Sequence, residues 1–438
     1  MPFQILGMWF RWLISLAILV SGLCLLKRGY DASLVDEPVP EAVVSAEPAT
    51  IGEELPRASV SEHVADERHA PTRRIFRFDP GWNEQTAYFG GALVLLAWAL
   101  LGGLISRCLS MLTLRSPASP GGAAPRAATA QPEEDPNFER SGAVHSIQRP
   151  DGSVLRVESY GPVNGPLIVW THGWGADSTE WFYQKKAFAN RYRLIVWDEP
   201  GLGLSKKPDN NDYRLENFAA NLAAVLEFAG DRPAILAGHS IGGMTILTLC
   251  KTFPALLKRK VIGLILVHTT YTNPVRTTKM AALFTPLEKP VLIPLMYLTI
   301  AAWPLAWVLN WLSYINGSAQ RSTHKSSFAG TETRGQLEFI TKYQAKARPD
   351  VLARGMLGMT KYDATAALAS IGVPALVIIG DKDTTTLPEA GQFIASAIPN
   401  AQLATLAPAK HMGLIEHHNR FNELVANFVD SCNRLPLR

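Results

Sequence analysis

The pentapeptide Gly238-His239-Ser240-Ile241-Gly242 constrains this chain more than any other stretch, because of what flanks it. Ala234 to Ala237, just before it, has the length and apolarity of a buried parallel strand, and Met244 to Phe253 reads as a helix. A serine between them sits on a sharp strand-to-helix turn, where side chains at neighbouring positions would clash and glycine is needed. The helix that follows points its N-terminus at the serine and favours developing negative charge there. Ser240 is therefore a candidate nucleophile. Five residues also arise by chance, so the case depends on partners at other strand ends.

From Ser141 onward, short β-rich runs alternate with helical stretches, the pattern of an α/β fold with a mostly parallel sheet. Val154–Tyr160 alternates like a strand; Leu167–Thr171, Leu194–Trp197, Val261–His268 and Ala375–Ile379 are short apolar runs. In such folds the reacting groups stand at the carboxyl ends of strands. Thr171-His172-Gly173-Trp174-Gly175 ends one of them. An oxyanion hole needs two converging backbone N–H groups, and Trp174 and Ile241 are the candidates. His172 reads as a brace for the loop, and Asp198 as a structural residue in the tight turn Asp198 to Ser205. An acid is expected between the serine and a histidine in chain order. In Gly380-Asp381-Lys382-Asp383 either carboxylate could serve. Asp383 is preferred, because the loop must carry the acid past the strand end. The rival position, His268-Thr269-Thr270, has no carboxylate, and His268 reads as a packed strand-end residue. His411, on a loop before an amphipathic helix, can bond both Ser240 and Asp383 as base and then acid. His417 and His418 read as surface residues of that helix.

HGWG, DEPGLGLS, GHSIGG, GDKD and PAKHMGLIE occur in this order over about Ser141 to Val429, and together they resemble the α/β-hydrolase superfamily of esterases, lipases and C–C hydrolases. The resemblance implies an α/β-hydrolase fold with a helical cap and a Ser240-His411-Asp383 triad working through an acyl-enzyme. It implies neither a metal nor an organic cofactor. Relatives that open halides or epoxides carry Asp at the elbow, so Ser240 speaks against those chemistries. The expected activity is hydrolysis of small apolar or lipid-like carboxylic esters. An acyltransferase with the same triad and a catalytically silent membrane scaffold are the alternatives.

The N-terminal third is of another kind. Residues 1–30 read as a transmembrane anchor, preferred to a removed signal peptide because no convincing small-residue site follows the apolar core before Lys27-Arg28. Residues 31–86 form an acidic loop, with ten Asp/Glu against two Arg between Asp31 and His69, too polar to fold alone. Residues 87–106 form a second transmembrane helix with Gly-Gly pairs, 107–140 a flexible linker, and 141–438 the hydrolase domain. The basic residues on the two sides of these spans are nearly balanced, so orientation stays open. A bilayer is thus an expected partner. Nucleic acid is not, since the net charge is only +4 and no basic stripe is interleaved with aromatics. Four cysteines (Cys24, Cys108, Cys250, Cys432) without CxxC spacing give neither a zinc site nor a disulfide framework.

The cap falls at about 269–372. Within it, Val291 to Leu312 carries no charge, and Pro294 and Pro304 divide it into short helices. It reads as the lining of a pocket, as a surface dipping into a bilayer, or as a third span. Asn316–Gly330, polar and rich in Ser and Thr, reads as a hinge or rim.

Overall fold

A computed structural model describes residues 2–38, 72–113 and 142–434. Within the two N-terminal helices, the side chains of residues 2–8, 10–11, 100–101 and 103–113 lie outside the described ones. The chain divides into two units, Leu16–Ala99 and Met1–Ser15 with Leu100–Arg438.

The smaller unit contains most of helix α1 (Pro2–Ala32), strands β1 (Leu34–Pro38) and β2 (Thr72–Phe76), and much of helix α2 (Glu84–Thr113). Glycines let α1 and α2 approach closely: a β-carbon on Gly22 would lie 2.9 Å from the Leu96 side chain, and one on Gly29 3.0 Å from Phe89. The strands pair antiparallel, Leu34 opposite Phe76 and Pro38 opposite Thr72. The expected acidic loop therefore carries a ribbon at its two ends, and residues 39–71 lie outside the described part. Helix α2 starts earlier than 87 because Asn83 caps it. The Asn83 side chain accepts the Thr86 N–H at 2.9 Å, while the Thr86 hydroxyl accepts that of Asn83 at 3.1 Å. It also runs past 106, so 107–113, expected as linker, is helical; residues 114–141 lie outside the described part.

The larger unit is built on an eight-stranded sheet. Its strands are β3 (Ala143–Gln148), β4 (Val154–Tyr160), β5 (Leu167–Thr171), β6 (Arg193–Trp197), β7 (Ala234–His239), β8 (Val261–Val267), β9 (Ala375–Gly380) and β10 (Ala401–Leu406). They lie in the order β10-β9-β8-β7-β5-β6-β4-β3, parallel from β10 to β6 and antiparallel at β4 and β3. Period-two alternation sorts the strand residues between two layers. On β5, Leu167 and Val169 join a core with α4 (Leu215–Phe228) and α5 (Ile241–Thr252), whose members include Leu222 and Ile246. Ile168 and Trp170 face the opposite core, with Phe182 of α3 (Phe182–Phe188) and the C-terminal helix. That last helix buries Phe421, Val425, Phe428 and Cys432, a helical stripe at steps of four, three and four.

Between β8 and β9 lies the cap, after the short α6 (Pro254–Lys260). It comprises α7 (Ala281–Leu287), α8 (Ile293–Ala301), α9 (Trp303–Ile315), α10 (Ser318–Ser327), α11 (Arg334–Lys346), α12 (Pro349–Met359) and α13 (Thr365–Leu368). The stretch expected as a hinge or rim is mostly the helix α10, entered through Gly317 at φ 81°. Glu416 fastens the turn after α10: its carboxylate accepts the N–H groups of Ala329 at 2.9 Å and Thr331 at 2.8 Å. The remaining helices are α14 (Pro388–Ala397), α15 (Gly413–Glu416) and α16 (His418–Arg434).

Candidate active site

The strands of this sheet end at one edge, and four of the loops leaving it meet around Ser240. At the end of β7 the chain reverses into α5 so sharply that Ser240 takes φ 52°, ψ −114°. That is a region a residue with a β-carbon occupies only when its surroundings hold it there. The flanking glycines are what permit the turn. A β-carbon on Gly238 would come within 2.4 Å of the Gly242 carbonyl carbon, and one on Gly242 within 2.3 Å of the Thr171 oxygen. The Ser240 N–H is tied to Val267 O at 2.9 Å, and its carbonyl to the Thr269 hydroxyl at 2.6 Å.

His411, on the loop after β10, brings Nε2 to 3.1 Å from Ser240 Oγ and Nδ1 to 2.8 Å from Asp383 Oδ2. The carboxylate can only accept at Nδ1, so that nitrogen carries the proton and Nε2 is free to accept from the serine. Asp383 is buried and fully engaged. Oδ1 accepts the N–H of Thr385 at 2.8 Å and of Thr386 at 3.2 Å, and Oδ2 accepts the Thr386 hydroxyl at 2.9 Å as well as His411. Burial pushes Asp383 toward the neutral acid, but the His411 charge and the hydrogen bonds outweigh it and hold the carboxyl well below its ordinary range. Asp381 acts on the backbone instead. Its Oδ1 accepts the Ala409 N–H at 2.7 Å and so braces the loop bearing His411. His268 also faces the acid, 3.5 Å from Oδ2, too far for a good hydrogen bond. Burial lowers it to about 4, which keeps it neutral and leaves Asp383 to His411.

The oxyanion candidates lie beside this relay. Among the described residues, neither the Trp174 nor the Ile241 backbone N–H donates to a protein acceptor, while the Trp174 indole Nε1–H donates to Leu352 O at 3.1 Å. His172 is the brace that the sequence implies: buried, with Nδ1 donating to Gly173 O at 2.8 Å and Nε2 accepting from the Glu199 N–H at 2.9 Å. Asp198 likewise holds the turn, accepting the N–H groups of Ser178 and Leu204. Trp174, Met244, Tyr343, Met359 and Met412 line a narrow cavity of about 30 Å³ over Ser240. Ala176 and Tyr343 also line a separate, wider groove of about 390 Å³ between the Gly201–Ser205 turn and α11.

Two buried carboxyls have roles the sequence motifs do not signal, although Glu199 lies within DEPGLGLS. Glu180 accepts the Gly173 N–H at 2.7 Å with one oxygen and His239 Nδ1–H at 2.9 Å with the other. His239 Nε2 stands 3.1 Å from the backbone oxygen of His411. Glu180 and His239 together thus tie the oxyanion loop, the elbow and the loop of the base. Nothing local signals it, because Glu180 stands 59 residues before its partner. Glu199, under the same loop, has one oxygen without a partner and the other 3.4 Å from the Thr245 hydroxyl. Desolvation raises it to about 7.

A model of the alpha/beta hydrolase fold matches residues 166–418 of this chain, and the chain belongs to that family. It is 26% identical over 290 residues to 3-oxoadipate enol-lactonase 1 of Acinetobacter baylyi, covering 66% of this chain and 98% of that protein. It is 25% identical to a pimeloyl-[acyl-carrier protein] methyl ester esterase of Xanthomonas oryzae pv. oryzae, covering 61% and 96%. The solved structure of a thermophilic esterase from Thermogutta terrifontis matches 66% of this chain and 99% of its own, with a TM-score of 0.54 at 21% identity. The chain is thus an esterase-type hydrolase of this family. Helices α1 and α2 lie outside the matched region.

Two outcomes follow from the buried carboxyls. Glu199 has a folded value near 7 against an ordinary 4.5, so the unfolded chain ionises first and the stability lost builds up from about pH 4.5 to about pH 7. At about 1.4 kcal/mol per pH unit this is on the order of 3 kcal/mol. Glu199→Gln is therefore expected to flatten urea-unfolding stability across that window; a slope equal to that of the wild type refutes the assignment. Glu180→Ala is expected to lower kcat by roughly 10- to 100-fold, because it loosens oxyanion and base geometry. Steady-state kinetics on a short ester, with circular dichroism to verify folding, measures this.

Proposed function

We propose that this chain is a membrane-anchored serine hydrolase that cleaves carboxylic esters of apolar acyl groups through Ser240, His411 and Asp383. The observation carrying the reading is the continuous relay from Ser240 Oγ through His411 to Asp383 Oδ2, opening on a cavity rich in methionine. Ser240 Oγ attacks the acyl carbonyl as its proton passes to His411 Nε2, and Asp383 stabilises the imidazolium. The developing oxyanion is held by the N–H groups of Trp174 and Ile241. His411 then returns the proton to the departing alcohol, leaving an acyl-serine. A water molecule, deprotonated by the same nitrogen, releases the acid and restores Ser240. The printed names of the relatives, an enol-lactonase and a methyl ester esterase, support an ester carbonyl as the target.

Two features support the anchor. Trp12–Ala32 in α1 is apolar and 21 residues long, enough for a bilayer core of about 30 Å. Helix α2, with 30 residues, reaches about 45 Å at 1.5 Å per residue.

p-Nitrophenyl esters of rising chain length test the substrate class, with kcat/KM expected to climb from acetate to medium chains; a maximum at acetate removes the apolar-acyl reading. On the best of these esters, Asp383→Asn is expected to lose about 10⁴-fold in kcat and Asp381→Asn far less. The reverse order would move the acid to Asp381.

A further inference from the structure

Two adjoining cap helices present apolar side chains on their outer face as well as on their inner one. From Ile293 to Ile315, α8 and α9 contain no charged residue. Their polar side chains turn inward: Thr299, Asn310 and Ser313 are buried, and Asn310 Nδ2 donates to the carbonyl oxygens of Gln344 and Ala345 at 3.3 Å. Met296, Leu309 and Leu312 are buried as well, yet large apolar side chains also occupy the outer face, with Tyr297 61%, Leu305 56% and Val308 61% exposed. A helix on a water-facing surface carries charged and polar residues on that outer face. A contiguous apolar face of this kind marks a contact with lipid or protein.

Residues 9–15 of α1 say which. They belong to the same unit as the cap. Trp9 Nε1–H donates to Thr299 Oγ1 at 3.2 Å, Trp12 is buried against Ala306 and Leu309, and Ser15 Oγ accepts from Asn316 Nδ2 at 2.9 Å. Leu13 and Ile14 point outward. The helix seated on the cap is the one whose continuation, Trp12–Ala32, is long and apolar enough to cross a bilayer. A protein partner would be expected to find charged groups that set orientation, and α8 and α9 supply none.

We propose that the α8–α9 face, with the adjoining outer side chains of α1 at Leu13 and Ile14, lies in the apolar layer of a bilayer, and that the enzyme draws esters dissolved in that layer. This rests on the anchored-esterase reading and deepens it: the cap becomes a second membrane contact, close to the reaction.

The test uses the full chain lacking Cys24 and Cys108, reconstituted in phosphatidylcholine vesicles and spin-labelled at Val308→Cys or, on α16 outside the cap, at Glu423→Cys. The label at 308 is expected to meet oxygen and exclude a water-soluble nickel chelate, with the reverse at 423. Chelate access at 308 equal to that at 423 overturns the proposal. In a second arm, the double variant Leu305→Glu/Val308→Glu should hydrolyse a vesicle-dissolved long-chain ester at least tenfold more slowly, with water-soluble p-nitrophenyl acetate within twofold. An unchanged rate on the vesicle ester, or an equal loss on both esters, also overturns it. Failure of the underlying reading shows separately. Protein that does not float with vesicles refutes the anchor as well as the cap contact, and wild type inactive on both esters refutes the esterase. A floating, active enzyme with a water-exposed label refutes the cap contact alone.

Discussion

The turn joining β7 to α5 holds Ser240 in a backbone conformation that costs on the order of 1–3 kcal/mol, and much of the site is arranged around keeping it there. Val267 and Thr269 bond its backbone on one side, and Thr171 presses on Gly242 from the other. The reward is position: Oγ stands at the sheet edge within reach of His411, while the N-terminus of α5 faces the place where negative charge will form. The same edge receives the ends of β5, β9 and β10. Three loops far apart in sequence therefore reach one serine without a long excursion.

Much of this was legible in the residues. The strand runs, the elbow glycines and the order serine, acid, histidine are local patterns, and each marks a strand end. The choice between Asp381 and Asp383 turned on reach, and the structure puts them in different roles: Asp383 at 2.8 Å from His411, Asp381 bracing Ala409. What escaped was non-local. Glu180 meets His239 only once β5 and β7 are paired, and no spacing rule links them. The ribbon of β1 and β2 was hidden because its strands are five residues each, separated by an acidic stretch that dominates the composition. The extent of α2 depended on a capping exchange at Asn83 and Thr86 that an apolar-run reading ignores.

The uncharged stretch in the cap shows why composition alone leaves alternatives open. Val291–Leu312 is as greasy as a span, yet it is divided into two short helices by the Ala302–Trp303 junction next to Pro304. Which side chains turn in and which turn out is a property of the packed structure, and it is the inward placement of Thr299, Asn310 and Ser313 that gives the outer face its meaning. The proposed membrane contact and the site share one segment, since the same cap contributes Tyr343 and Met359 to the cavity over Ser240.

The central claim is that Ser240 is a nucleophile activated by His411 and Asp383. Reaction of the folded full-length chain with a fluorophosphonate, followed by intact mass and peptide mapping, tests it most directly. One adduct per chain on the peptide bearing Ser240, absent in Ser240→Ala and strongly slowed in His411→Ala, is the expected result. No adduct in the folded wild type, or equal labelling of Ser240→Ala, would contradict it.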